Sequence, residues 1–261
     1  MPLRYAANLS MLWTDRETYA RFDAAVEAGF GLVEMLFPQA LDVSEVERLL
    51  AEHGLRLALF DLHAGDWNAG ERGIAALPDR VDEWRDHVAD DLQLAARLGT
   101  PTLAVLAGIV PDGLPGDVAD QTLINNLAAM AGPSAELGIT LTLEPINHTD
   151  VPGYHVRSAA HAARIVAAVD HPNVGIQFDQ YHVSMEHEDP VAQLEQHIGR
   201  IGHVQIADAP GRHEPGTGAA PIAAFLGRLE ALDYDGVVGL EYRPSRDTDA
   251  SLAWLARTLR R

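Results

Sequence analysis

Leu141-Thr142-Leu143-Glu144-Pro145-Ile146-Asn147-His148 is a short leucine and β-branched run that ends in a carboxylate followed by proline. The pattern predicts a buried strand that delivers Glu144 to a rim, because proline cannot continue the hydrogen-bonded ladder. The same event recurs in Val174-Gly175-Ile176-Gln177-Phe178-Asp179, in His203-Val204-Gln205-Ile206 and in Val237-Val238-Gly239-Leu240-Glu241. Each run carries an oxygen-bearing side chain at or near its end, and the steps from Glu144 to Asp179, Gln205 and Glu241 are 35, 26 and 36 residues. Those steps suit one strand-plus-helix unit of a (β/α)₈ barrel, in which about 250 residues make eight units. Four parallel strands are therefore expected to aim four oxygen ligands at one spot.

Length and composition agree with that reading. The 261 residues suit one TIM barrel, residues 1–261 as a single domain, better than two small domains. No apolar run reaches the roughly 18 residues of a membrane span, and Met1-Pro2-Leu3-Arg4-Tyr5 lacks the pattern of a secretory signal, so a soluble, cytoplasmic chain is expected. There are no cysteines, which excludes thiolate metal sites and cysteine nucleophiles. Nineteen basic residues against 38 acidic ones give a net charge of −19, which repels nucleic acid and anionic lipid.

The rest of the chain alternates in the same way. Strands are expected at Tyr5–Ser10, Leu32–Phe37, Leu55–Leu62 and Thr102–Ala107. Helices are expected over Glu17–Ala28, Val43–His53, Asp79–Leu98, a stretch ending near Leu137, Ser158–Val169, Val191–Ile198, Ile222–Leu232 and Asp247–Leu259. Strict alternation implies a parallel sheet with right-handed crossovers. An open doubly wound sheet would place a glycine-rich phosphate loop after strand one, and Asn8-Leu9-Ser10-Met11 is not one. The long loop from His63 to Gly73 has the length of a functional segment.

In such a barrel the C-terminal strand ends form the active-site face. Glu144, Asp179, Gln205 and Glu241 then form an all-oxygen set suited to Mg²⁺ or Mn²⁺, with the ion offsetting the repulsion of three carboxylates. The competing role for each acid is to cap the next helix or to pair with an arginine. His182, three residues past Asp179, is placed to contact a bound substrate oxygen. Arg212 and Arg72 are candidate clamps for a small carboxylate substrate, since guanidinium binds carboxylate through two parallel hydrogen bonds. Trp13 and Trp67 are candidate pocket walls, and no role is assigned to His148, His155 or His203. The outer helices leave room for a homo-oligomer, although no apolar surface stripe marks one.

Seven strings together resemble the hydroxypyruvate isomerase family of the xylose-isomerase-like barrel superfamily over essentially the whole chain. They are Ala7-Asn8-Leu9-Ser10-Met11-Leu12, Ala64 to Gly73, Leu143-Glu144-Pro145-Ile146-Asn147, Phe178-Asp179-Gln180-Tyr181-His182, Gln205-Ile206-Ala207-Asp208, His213-Glu214-Pro215-Gly216-Thr217-Gly218 and Gly239-Leu240-Glu241-Tyr242. The resemblance implies a metal-dependent isomerisation of a small hydroxy-keto acid, hydroxypyruvate to tartronate semialdehyde, with Glu144 and Glu241 as proton donor and acceptor. Related ketose 3-epimerases carry histidine where Gln205 stands, which sets this chain apart from them. A sister branch isomerises 2-oxo-tetronates; Glu71-Arg72 and Glu144-Pro145-Ile146-Asn147 look more like the hydroxypyruvate branch. An apurinic endonuclease would be expected to carry histidine-rich multi-zinc ligation and a basic groove. A non-catalytic sugar-acid binding barrel would tolerate loss of either glutamate.

Overall fold

Eight parallel strands hydrogen-bond in sequence order until the last meets the first, in a computed structural model that describes residues 2–260. The strands are β1 (Arg4–Asn8), β2 (Leu32–Met35), β3 (Arg56–Asp61), β4 (Thr102–Leu106), β5 (Thr140–Glu144), β6 (Val174–Asp179), β7 (Ile201–Ile206) and β8 (Val237–Leu240). Closure is made by Ala7 pairing with Leu240, and it leaves the sheet no free edge. The chain is a (β/α)₈ barrel.

The helices lie between the strands: α1 (Ala20–Ala28), α2 (Val43–His53), α3 (Val81–Leu98), α4 (Gly116–Glu136), α5 (Ala159–Val169), α6 (Gln180–Met185), α7 (Pro190–His197), α8 (Ile222–Ala231) and α9 (Thr248–Ser251). Helix α2 illustrates why the local sequence folds as it does. The Asp42 carboxylate caps it by accepting from the Ser44 and Glu45 amides, and Val46, Leu49 and Leu50 bury one face against the sheet. Gly54, at φ 63°, ends it in the left-handed region.

Two segments differ from the sequence expectation. Helix α6 was not foreseen; its six residues begin directly after β6, because the Asp179 side chain accepts from the Tyr181 amide and caps a turn there. The expected closing helix over Asp247–Leu259 is only four residues of α-helix followed by 3₁₀ turns at Leu252–Trp254 and Arg257–Leu259. Arg260 donates to the carbonyls of Leu252, Leu255 and Ala28, so the segment is held by tertiary bonds rather than by its own helical ladder.

The barrel interior holds a connected polar layer below the strand ends. The Thr142 hydroxyl donates to Gln177 Oε1 (3.0 Å), Gln177 Nε2 donates to Gln205 Oε1 (2.8 Å), and Gln205 Nε2 donates to Glu34 Oε2 (3.1 Å). His203 Nε2 meets the other Glu34 oxygen at 2.5 Å. All five residues are buried, and each is satisfied by the next. Glu34 fits because β8 carries glycine opposite it: a Cβ at Gly239 would lie 2.3 Å from both Glu34 oxygens. Gly239→Ala is therefore expected to destabilise the fold by about 1–3 kcal/mol through overpacking, whereas Gly227→Ala, on the exposed face of α8, should stabilise it by roughly 0.5–1 kcal/mol. Equal unfolding midpoints for the two variants would contradict this packing.

Candidate active site

At the C-terminal mouth of the barrel lies a cavity of about 730 Å³, whose floor and walls include Asp61, Glu144, Glu241, His182, Arg212 and Arg72. Glu144 is the last residue of β5, Asp179 the last of β6, and Glu241 follows β8. Asp179 and Gln205 are register partners, and Gln205 is in turn level with Gly239. Glu241, two residues beyond Gly239, therefore stands one layer nearer the mouth on the same face.

The electrostatics follow from burial. Glu144, Asp179 and Glu241 are 5%, 2% and 6% exposed. Burial drives the Glu144 carboxyl well above its usual range, and the charges of Glu241, Asp61 and Asp179 push it further the same way. Asp179 is pushed up to about 8, chiefly by burial and against the pull of Arg212. Glu241 is raised by burial and restrained by Arg212. The arginine supplies the countercharge: Arg212 Nη2 lies 2.8 Å from Glu241 Oε2 and 3.4 Å from Asp179 Oδ2. Burial opposes its own charge, but Glu241, Asp179 and Glu144 outweigh that and hold it protonated.

The loop after β7 is built to present this guanidinium. Asp208 accepts from the amides of Ala209, Gly216 and Ala220, and pairs with His213 in an antiparallel bridge. Arg212 sits at the turn of that loop with φ 54°, its guanidinium 5.0 Å from the Tyr181 ring centre and its Nε without a hydrogen-bond partner. Arg72 comes from the long loop after β3. It lies over Trp67 at 4.0 Å and donates to the carbonyls of Trp67 and Glu71, while no carboxylate among the described residues pairs with it. The loop is fixed to β4 at Gly73, where a Cβ would be 2.2 Å from the Leu106 carbonyl oxygen, and it is closed by the Glu71–Arg80 pair. Trp67 packs edge-on against Phe37 and lines the cavity; Trp13 is a core residue, buried against Phe30.

His182, on the first turn of α6, has a protonation pattern that its neighbours decide. The Asn147 side-chain oxygen accepts from the Asp150 amide at 2.8 Å, which leaves Asn147 Nδ2 to face His182 Nδ1 at 2.7 Å. Nδ1 must then be the acceptor, so the imidazole proton sits on Nε2. Burial and the nearby Arg212 hold this histidine well below its usual pKa, so it is neutral. Nε2 lies 3.8 Å from Glu144 Oε1 and 3.6 Å from Asp179 Oδ2, too far for good hydrogen bonds and spaced to admit a third oxygen. His182 is thus a neutral donor facing the cavity.

The site chemistry fits a hard divalent cation. Glu144, Asp179 and His182 bring ligand atoms within 4.8 Å of one another, and the buried carboxyls share one guanidinium. A cation would lower the cost of ionising them. The Nε2–H tautomer turns His182 away from a ligand role and leaves the oxygens as the donors. The Gln205 carbonyl already accepts from Gln177, but its second lone pair leaves it able to accept again. Asp179 and Glu241 also take the humbler roles set against metal ligation, Asp179 as a helix cap and both as partners of Arg212.

Sequence reasoning passed over Asp61, Glu34 and Asn147. The first two carried the same signal as three of the four residues it did collect: a single acid in an apolar run, Asp61 at the end of β3 and Glu34 within β2. Asn147 gave no such signal.

Two outcomes follow. Glu144, Asp179 and Glu241 are raised, so the folded chain binds protons that the unfolded chain has released, and stability must fall as pH rises toward about 8. His182, depressed below 6.5, acts in the opposite sense only at lower pH. Chelated protein should thus lose Tm as pH rises from about 6.5 to 8, and saturating Mg²⁺ should flatten that slope; a pH-independent Tm without metal would contradict it. In ¹⁵N-histidine spectra His182 should show a protonated Nε2 and a bare Nδ1, and Asn147→Ala should draw the two shifts together.

Comparison with known proteins agrees with this fold. The family model described as xylose isomerase-like TIM barrel matches residues 22–258. The chain is 40% identical over 253 residues to the hydroxypyruvate isomerase of Escherichia coli K12, covering 97% of this chain and 98% of that one. It is 39% identical over 252 residues to the 2-oxo-tetronate isomerase of Cupriavidus necator, covering 97% of each. The crystal structure of a Brucella melitensis protein described as AP endonuclease, family 2, superposes with a TM-score of 0.94 at 40% identity, covering 97% of this chain and 98% of that one. On its sequence and its barrel, the chain belongs to the xylose isomerase-like TIM barrel family, among the relatives of the hydroxypyruvate and 2-oxo-tetronate isomerases.

Proposed function

We propose that the protein is an isomerase that interconverts hydroxypyruvate and 2-hydroxy-3-oxopropanoate by proton transfer between adjacent carbons through an enediolate, with Glu144 and Glu241 as the proton-transfer pair. The observation that carries this reading is that two buried carboxyls with raised pKa values, delivered by β5 and β8, line one cavity. A carboxylate whose pKa is raised is a stronger base than a free one, which is what abstraction of a carbon-bound proton requires. One carboxylate removes the proton from C3 of hydroxypyruvate, and the other carboxyl, protonated, delivers a proton to C2. The C3 hydroxyl proton passes to the C2 oxygen, so the C2 oxygen ends as hydroxyl and the C3 oxygen as carbonyl.

His182 Nε2–H donates to a substrate oxygen in the gap before Glu144 and Asp179. Arg72, which pairs with no carboxylate among the described residues, and Arg212, which lines the same cavity, bind the substrate carboxylate. Glu144, Asp179, Gln205 and Glu241 would hold Mg²⁺ or Mn²⁺, which when bound supplies electrostatic stabilisation to the oxygens that gain charge. The loop carrying Trp67 and Arg72 forms one wall of the cavity.

A four-carbon 2-oxo-tetronate is the second reading. A cavity of about 730 Å³ exceeds what a three-carbon acid fills, and the Cupriavidus relative bears that name. A nucleic-acid substrate, suggested by the name of the Brucella structure, is disfavoured by the net charge of −19.

The test is an NMR assay in D₂O with Mg²⁺, offering hydroxypyruvate, a 2-oxo-tetronate and a ketose side by side. Deuterium should enter hydroxypyruvate and its product. Glu144→Gln and Glu241→Gln should each lower kcat by about 10²–10⁴-fold with the circular dichroism spectrum unchanged, and chelated Glu144→Gln should melt no lower than wild type because one repelling carboxylate is gone. Near wild-type turnover in either variant would sink the proton-relay assignment. Chelation should abolish exchange and added Mg²⁺ or Mn²⁺ restore it; indifference to chelator would remove the metal from the reaction.

A further inference from the structure

Outside the cavity, three side chains from different segments converge on one point. Asp120 lies on α4, His155 in the loop between β5 and α5, and His161 on the first turn of α5. His155 Nε2 and His161 Nε2 each lie 2.7 Å from the same oxygen, Asp120 Oδ1. The two rings are edge to face, 5.2 Å apart at 72°. Two nitrogens and a carboxylate oxygen thus fall within 4.8 Å of one another. Side-chain exposures of 8%, 19% and 27% for His155, His161 and Asp120 leave the group open on one side.

We propose that Asp120, His155 and His161 form a second metal site, separate from the carboxylate cavity, for a borderline divalent cation such as Zn²⁺. Imidazole and carboxylate are the ligands such an ion takes when thiolate is lacking, and three protein ligands with an open side leave room for water in the fourth position. Binding asks for two changes: the Nε2–H protons that face Asp120 Oδ1 move to Nδ1 of each ring, and ligand atoms now 2.7 Å apart open to roughly 3.3 Å around a tetrahedral ion with bonds of about 2.0 Å.

The other histidine cluster outside the cavity does not qualify. His63 and His87 stack face to face at 3.7 Å, and Glu83 is committed to Arg80. At the proposed site Arg164 is a competing cation, 3.7 Å from Asp120 Oδ2 on the exposed side. A bound ion would clamp the segment between β5 and α5 onto α4. That segment carries Asn147, which sets the His182 tautomer, and Asp150, which lines the cavity.

The experiment is zinc titration of the full chain by calorimetry, with bound metal counted by elemental analysis. The Glu144→Gln/Asp179→Asn variant removes the cavity site from the count. It should still bind one equivalent, and adding His161→Ala should weaken that equivalent on the order of 100-fold with the circular dichroism spectrum unchanged. Co²⁺ in place of Zn²⁺ should give visible absorption of a four-coordinate ion, lost with the same substitution. Arg164→Ala should tighten binding. The proposal is overturned if the cavity variant binds no zinc, or if its equivalent survives both His161→Ala and His155→Ala. Because the site holds none of the residues assigned to isomerisation, failure here leaves the isomerase reading standing, and the reverse also holds.

Discussion

Carboxyls gathered at the ends of neighbouring strands, in a space too dry to screen them, set the terms for the whole upper half of this barrel. Glu144, Asp179, Glu241 and Asp61 are each nearly buried, and each raises the cost of ionising the others. Arg212 alone among their close neighbours supplies positive charge, reaching two of them. The fold tolerates this local conflict because the strands beneath are fixed on all sides by a closed sheet. A site that is strained without a cation and relaxed with one is suited to holding a metal and to poising a carboxylate as base.

The polar layer below explains how such a cluster is kept in place. Most barrels of this class fill their interior with branched apolar side chains. Here Thr142, Gln177, Gln205, Glu34 and His203 run as one satisfied chain of hydrogen bonds across four strands. Gln205 belongs to both levels: its amide is anchored below, and its register places it beside Asp179. A side chain fixed from beneath loses little further freedom on meeting a ligand, which is the condition for a precise site.

Above the carboxyls, two loops carry the positive charge, and their construction differs from that of the strands. Asp208 gathers three amides to shape the turn bearing Arg212, and Gly73 lets the long third loop close onto β4 so that Trp67 and Arg72 overhang the mouth. Neither guanidinium is a surface ion pair. One neutralises buried acids, and the other stacks on an indole with its charge uncommitted to any acid. The asymmetry separates a cation that already balances buried acids from one whose charge is uncommitted among the described residues.

The sequence by itself determined the alternation of strand and helix, the parallel barrel, and the delivery of Glu144, Asp179 and Glu241 to strand ends. These are consequences of local periodicity and of stop signals such as Pro145 and Gly54, which act over a few residues. Only the tertiary structure decided that β8 closes on β1, that Glu34 meets Gln205 across 171 residues of chain, and that Asp61 joins the carboxyl cluster. It also decided that Asn147 fixes the His182 proton on Nε2, and that Arg212 rather than Arg72 balances the acids. Such relations depend on where distant side chains meet in space, and a pattern with a period of two or 3.6 residues carries no record of them.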